Sequence, residues 1–232
     1  MNKKIIAIAD QLTSDLEYLL KIINTARESI EKEFKETANI GGGYGNSWGN
    51  CFHAIQACLN FAAQARIKDP LVRESILQEI KKLDPMLKDF KTKFPKPNSV
   101  IPDQEKTRMI GELNPLKELI QTYIGLQFVL NLIDNAKVII EAEFNKSYVN
   151  QRNDWGACFN TVLSVISLSI SIKIPDESIQ MKLQEELQNI AEIAWTFQKK
   201  YPQANDIIPT KEKEDLLQTL IPFKKLVKDF LG

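Results

Sequence analysis

The residues of this chain that could do chemistry are few. They are Cys51, Cys58 and Cys158, the single His53, the pairs Glu31/Glu33 and Glu141/Glu143, and a glycine-rich stretch, "GGGYGNSWGNCF", at 41–52. A cysteine nucleophile needs a base within hydrogen-bond reach. His53 lies two residues after Cys51 and five before Cys58, and side chains at those helix spacings do not face one another. Di-iron bundles use two Glu-x-x-His motifs, and zinc sites gather Cys and His. One histidine and scattered cysteines fit neither, so no metal and no cofactor is expected. Paired carboxylates do acid–base work when a cleft drives their pKa values apart. Residues two apart on a helix diverge, so the Glu pairs read as solvated faces. No catalytic residue is assigned.

The glycines lack the Gly-Lys-Ser/Thr that a phosphate-binding P-loop requires. A second stretch, "NQRNDWGACF" at 150–159, repeats the Trp-Gly-x-Cys-Phe motif without them. In both copies an Asn stands two residues before Trp, and Ser47 or Asp154 immediately before it. Such side chains cap helix starts by accepting unpaired amide hydrogens. An open helix start carries partial positive charge, and exposed aromatics are good binding anchors. Tyr44, Asn46, Trp48, Asn153 and Trp155 are therefore the expected partner-binding residues.

These motifs sit in a sequence written twice. Moving the chain by 107 positions lays Asn46, Trp48, Gly49, Cys51 and Phe52 on Asn153, Trp155, Gly156, Cys158 and Phe159. The same move carries Phe90, Lys93 and Pro95 onto Phe197, Lys200 and Pro202, and Ile101 and Pro102 onto Ile208 and Pro209. Leu113, Pro115 and Lys117 fall on Leu220, Pro222 and Lys224. Before the glycines the offset is 110, laying Glu31, Glu33 and Phe34 on Glu141, Glu143 and Phe144. The difference falls inside a loop, where an insertion costs little.

Each copy reads as four helices. Ile5, Ala9, Leu12, Leu16, Leu19, Ile23, Ala26, Ile30 and Phe34 step by four and three, which places one apolar seam along a helix. A second helix over about 47–66 carries no charge and is expected at the centre. A third starts at Asp69-Pro70 and runs to about Phe94. A fourth comes after the proline-pinned "FPKPNSVIPD" and continues through Gly125 into the first helix of the next copy. The stretch "TVLSVISLSISI" alternates like a strand, but its partner "AIQACLNFAAQA" reads as helix, and the repeat decides for helix. The expected fold is all-α: two tandem, internally duplicated four-helix bundle-like units, 1–120 and 121–232, joined by a long shared helix.

Thirty basic residues balance thirty acidic ones, so no global field draws the chain to nucleic acid or an anionic membrane. Cys51 and Cys58 would lie about 10 Å apart along a helix, too far for a disulfide. Reduced thiols suggest a cytoplasmic protein. These properties point to a non-enzymatic protein-binding module, of the kind found among bacterial regulators, inhibitors and immunity proteins. The alternatives are a membrane-active protein using the uncharged helices 48–65 and 155–172, and an enzyme with a dispersed site between the units.

Overall fold

Apolar residues spaced by three and four make a stripe on a helix, and burying that stripe is what makes a helix stable in water. The computed structural model describes residues 3–36, 47–65, 67, 69–96, 99, 101–146, 154–203, 206 and 208–231. Among them the protein is all-α. The helices are α1 (Lys3–Glu36), α2 (Ser47–Gln64), α3 (Pro70–Lys93), α4 (Asp103–Lys146), α5 (Asp154–Ser171), α6 (Glu177–Lys200) and α7 (Thr210–Leu231). The alternating stretch at 161–172 is helical through Ser171. Ser164, Ser167 and Ser171 are among its exposed positions, and serines tolerate a helix when their hydroxyls bond back to the preceding turn; Ser164 Oγ donates to the Asn160 carbonyl at 2.7 Å.

The chain divides into two compact units, Met1–Ile124 and Gly125–Gly232, so that α4 carries the boundary within its length. In unit 1, α1 packs on α2 and α2 on α3. Leu16, Leu19, Ile23, Ala26 and Ile30 of α1 are buried, as are Cys51, Phe52, Ile55 and Cys58 of α2. Val72, Ile76, Ile80, Leu83 and Phe90 do the same for α3. In unit 2, Leu126, Val129, Ile133, Ala136 and Ile140 of α4 join a core with Phe159 and Val162 of α5, Leu187 and Phe197 of α6, and Leu220 and Phe223 of α7. α2 and α5 each have 18 residues, α3 and α6 each 24.

Local chemistry sets the helix ends. Asp69 caps α3, its carboxylate accepting from the amides of Leu71 and Val72, with Pro70 at the first position. Asp176 caps α6 through the amide of Ile179 at 3.0 Å. An N-cap carboxylate satisfies amides that have no partner within the helix. Lys91, Lys93, Lys199 and Lys200 lie in the last turns of α3 and α6, where cations complement the helix dipole. α3 continues through Pro85, α4 through Pro115 and α7 through Pro222.

Gly125 has a packing role. A Cβ there would stand 3.0 Å from Ile172 Cγ2, so the connection after α5 closes onto the bare glycine. This offsets the roughly 1 kcal/mol that glycine costs inside a helix. Among the described residues α4 is the helix long and apolar enough to cross a membrane, over Asp103–Ala142. Its apolar positions also serve as core, including Met109, Leu113 and Ile120 in unit 1 and Leu126, Ile133 and Ile140 in unit 2.

One buried polar atom stands out. Ser169 is buried and its hydroxyl has no hydrogen-bond partner, whereas the residue 107 positions earlier is Ala62. An unsatisfied buried hydroxyl is unfavourable. Ser169→Ala should therefore leave the fold intact and raise unfolding stability by about 1 kcal/mol, read as a higher midpoint in urea. A lower midpoint would contradict this packing.

Candidate functional site

The structure sorts the expected binding residues into two groups. Trp48 and Trp155 each occupy the second position of a helix, α2 and α5 respectively; their side chains lie outside the described ones. Tyr44, Asn46 and Asn153 lie outside the described residues altogether. The tail of the Trp-Gly-x-Cys-Phe motif is core. Cys51, Phe52, Cys158 and Phe159 are all buried. Phe52 stacks on Phe90 with ring centroids 6.4 Å apart, and Phe159 on Phe197 at 6.3 Å. Phe90 in turn meets Phe94 at 5.2 Å, and Phe197 meets Tyr201 at 5.1 Å, both tilted by 49°. The motif thus ties the start of one helix to the C-terminal turn of the next.

Beside that core each unit has a groove. In unit 1 it runs between α1 and α2, has a volume of about 330 Å³, and is bordered by Tyr18, Ile22, Thr25, Ala54 and Ala57. In unit 2 it runs between α4 and α5, has a volume of about 360 Å³, and is bordered by Leu132, Asn135, Ile139, Thr161 and Ser164. The offsets of 110 and 107 superimpose these linings: Ile22 on Leu132, Thr25 on Asn135, Ala54 on Thr161, Ala57 on Ser164. Tyr18 and Phe128 correspond as well. Tyr18 is 52% exposed and Phe128 47%. The Tyr18 ring meets Phe61 edge-on at 4.7 Å.

The outward face of α2 carries His53, Ala57, Asn60 and Gln64, and that of α5 carries Asn160, Ser164, Ser167 and Ser171, all exposed. Both sets step by four, three and four. Neither contains an Asp, Glu, Lys or Arg. Exposed helix faces of soluble proteins are ordinarily charged, so an exposed helix face without charge is the unusual surface of this molecule.

The far edge of each unit is ionic. In unit 1, Arg108 of α4 donates from Nε to Glu105 at 3.0 Å and from Nη2 to Asp89 of α3 at 3.0 Å. Hydrogen bonding to Glu105, with the nearby charges of Asp89 and Glu112, raises the pKa of the Arg108 guanidinium. Asp89 is held below the usual carboxylate range, first by its hydrogen bond from Lys93 and then by the charges of Lys93 and Arg108. In unit 2, Lys200 of α6 pairs with Glu212 of α7, which raises the lysine pKa. Between α6 and α7 lies a third groove of about 370 Å³ that includes Glu192, Ile193, Thr196, Glu212 and Asp215.

Two lysines escaped the sequence reading. Lys106 and Lys213 are both 0% exposed, and Lys106 Nζ lies 3.6 Å from Asp103 Oδ1. A buried ammonium costs several kcal/mol unless it is paired. A signal was present: "IPDQEK" at 101–106 and "IPTKEK" at 208–213 share Ile-Pro-x-x-Glu-Lys at the repeat offset. The Arg108–Asp89 pair had no such signal, because its members lie 19 positions apart and the offset of 107 lays them on Asp215 and Thr196.

The three cysteines are buried thiols, none of them in a disulfide. Burial pushes the Cys58 thiol up to about 12, slightly opposed by a backbone hydrogen bond. Such a thiol stays protonated at neutral pH and is a poor nucleophile. Among the described residues no three His, Cys, Asp or Glu side chains gather where they could hold a metal ion. Comparison with protein-family models, curated proteins and solved structures finds no match for this chain.

Cys58 binds its proton more tightly when folded than when unfolded, where the thiol titrates at 9.0. Its share of stability is complete below pH 9.0 and fades as pH rises toward about 12. At pH 8 an aromatic disulfide reagent should therefore label Cys58 no faster than the protein unfolds. Labelling at the rate of a free thiol would show that the site is open.

Proposed function

We propose that this chain is two copies of one four-helix unit fused through α4, and that it binds a helix of another protein along the uncharged outer faces of α2 and α5. The observation that carries this reading is the pair of exposed faces without charge, His53-Ala57-Asn60-Gln64 and Asn160-Ser164-Ser167-Ser171. Steps of four and three are the spacing that a second helix packs against at a shallow angle. Small residues in the middle of each face let a partner backbone come close. The apolar grooves beside them, rimmed by Tyr18 in unit 1 and Leu132 in unit 2, offer pockets for that helix's anchor side chains.

The duplication is supported by features that recur at the repeat offset: the stacked phenylalanine pairs, the buried lysines and the paired grooves. The helix starts at Trp48 and Trp155 belong to the same two helices as the uncharged faces. Tyr44, Asn46, Trp48, Asn153 and Trp155 would then extend the binding surface at one end of each face. Asn, Gln, Ser and His on these faces suit a protein partner better than lipid, because each would lose hydrogen bonds to water in a hydrocarbon core.

A charge placed on these faces should abolish binding without harming the fold. Ala57→Glu combined with Ser164→Glu alters exposed positions, where stability changes stay within about 0.5 kcal/mol. The wild-type chain should capture a partner from a lysate of its source cells and cross-link to it from photoreactive groups at positions 57 and 164. The doubly substituted chain should lose capture while keeping its circular dichroism and melting temperature. Undiminished capture would reject the surface, and leakage from liposomes would replace it with a membrane role.

A further inference from the structure

The two copies differ at Arg108 of unit 1. There Arg108 bridges α3 and α4, bonding Asp89 and Glu105 at 3.0 Å each. The repeat offset lays Glu105 on Glu212 and Lys93 on Lys200, and the ion pair is kept: Lys93 lies 3.9 Å from Glu105, and Lys200 pairs with Glu212. But Arg108 falls on Asp215, and Asp89 on Thr196. Unit 2 therefore keeps the carboxylate that holds the guanidinium in unit 1 and replaces the guanidinium itself by a further acid.

What stands there instead is the α6–α7 groove of about 370 Å³. Phe197 and Leu216, both buried, form its floor, and Ile193, 44% exposed, stands on its rim. Glu192, Glu212 and Asp215 outnumber Lys200 around it. An apolar floor under carboxylates matches the two parts of an arginine side chain, its methylene stem and its forked donor head. These acids do not gather as a metal site.

We infer that the α6–α7 groove receives an arginine side chain from a partner protein, whose guanidinium bonds Glu212 and Asp215 as Arg108 bonds Glu105 and Asp89 in unit 1. This deepens the protein-binding reading by naming the chemistry of the partner, and it rests on the duplication within that reading. It does not rest on the α2 and α5 faces, so the two surfaces fail or stand separately.

The test uses the full chain and a fluorescent Ala- and Gln-based helical peptide carrying a Leu and an Arg four residues apart. A second peptide replaces Arg by citrulline, which keeps the shape and removes the charge. A third replaces it by Lys. By fluorescence anisotropy at low salt the Arg peptide should bind saturably. The citrulline peptide should bind about ten- to a hundredfold more weakly, the ratio that charge-assisted hydrogen bonds supply. The Lys peptide should fall between them.

Asp215→Arg with Thr196→Asp rebuilds the unit 1 arrangement from within the chain. That variant should bind the Arg peptide at least tenfold more weakly and melt no lower than the wild type. Glu212→Gln should weaken the Arg peptide and leave the citrulline peptide unchanged. Ala57→Glu with Ser164→Glu should not affect peptide binding, which separates this site from the α2 and α5 faces. Absence of saturable binding, equal binding of the Arg and citrulline peptides, or unaltered binding to the Asp215→Arg/Thr196→Asp chain would overturn the assignment.

Discussion

Each unit depends on one aromatic contact: the phenylalanine that ends the Trp-Gly-x-Cys-Phe motif stacked on a phenylalanine of the following helix. Phe52 on Phe90 and Phe159 on Phe197 are buried pairs, and buried aromatics contribute the largest single areas to a core. Because the pair joins the N-terminal turns of α2 to the last turns of α3, it also positions the segment leading out of α3. Phe94 and Tyr201 lean on the same rings, and Ile101 and Ile208 are buried beyond them. The next helices then begin with a buried lysine, Lys106 or Lys213. The inward positions of α2 and α5 are apolar for the same reason, whereas their outward positions, among them Asn60, Gln64, Ser164 and Ser167, are exposed and still carry no charge.

Around these similar phenylalanine pairs the surfaces of the two units differ. Lys91 Nζ sits 4.5 Å over the Phe52 ring in unit 1, whereas in unit 2 Trp195 meets Phe159 edge-on at 6.3 Å while remaining half exposed. Unit 1 closes its ionic edge with Arg108, and unit 2 has an acidic groove at the corresponding place. Unit 2 also exposes Phe128, Ile139, Leu168, Ile193 and Trp195.

Much of the fold is legible in the residues alone. The seam of α1, the cap at Asp69, the uncharged α2 and the continuous helix through Gly125 all come from spacing and local chemistry. The strand-like alternation in α5 is outweighed by its helical partner sequence. The sites are far less legible. Lys106 and Lys213 carry a residue type that usually marks a solvated face, so only their recurrence at one offset hints at burial. Toward the end of α3, Lys88 and Lys93 pair with Asp84 and Asp89 at 2.7 and 2.8 Å. Arg108 and Asp89 meet across two helices, and grooves form between elements; neither leaves a local pattern in a single sequence. The motif chosen for its tryptophans proved informative for its phenylalanines.

The central claim, one unit present twice, is tested most directly by carbon- and nitrogen-resolved NOE spectroscopy on the intact chain. Two copies of one unit require ring contacts from Phe52 to Phe90 and from Phe159 to Phe197. They also require the side-chain methylenes of Lys106 and Lys213 to show contacts to matching sets of core methyl groups. Lysine methylenes averaged in solvent, or a phenylalanine pair present in one half and absent from the other, would contradict it.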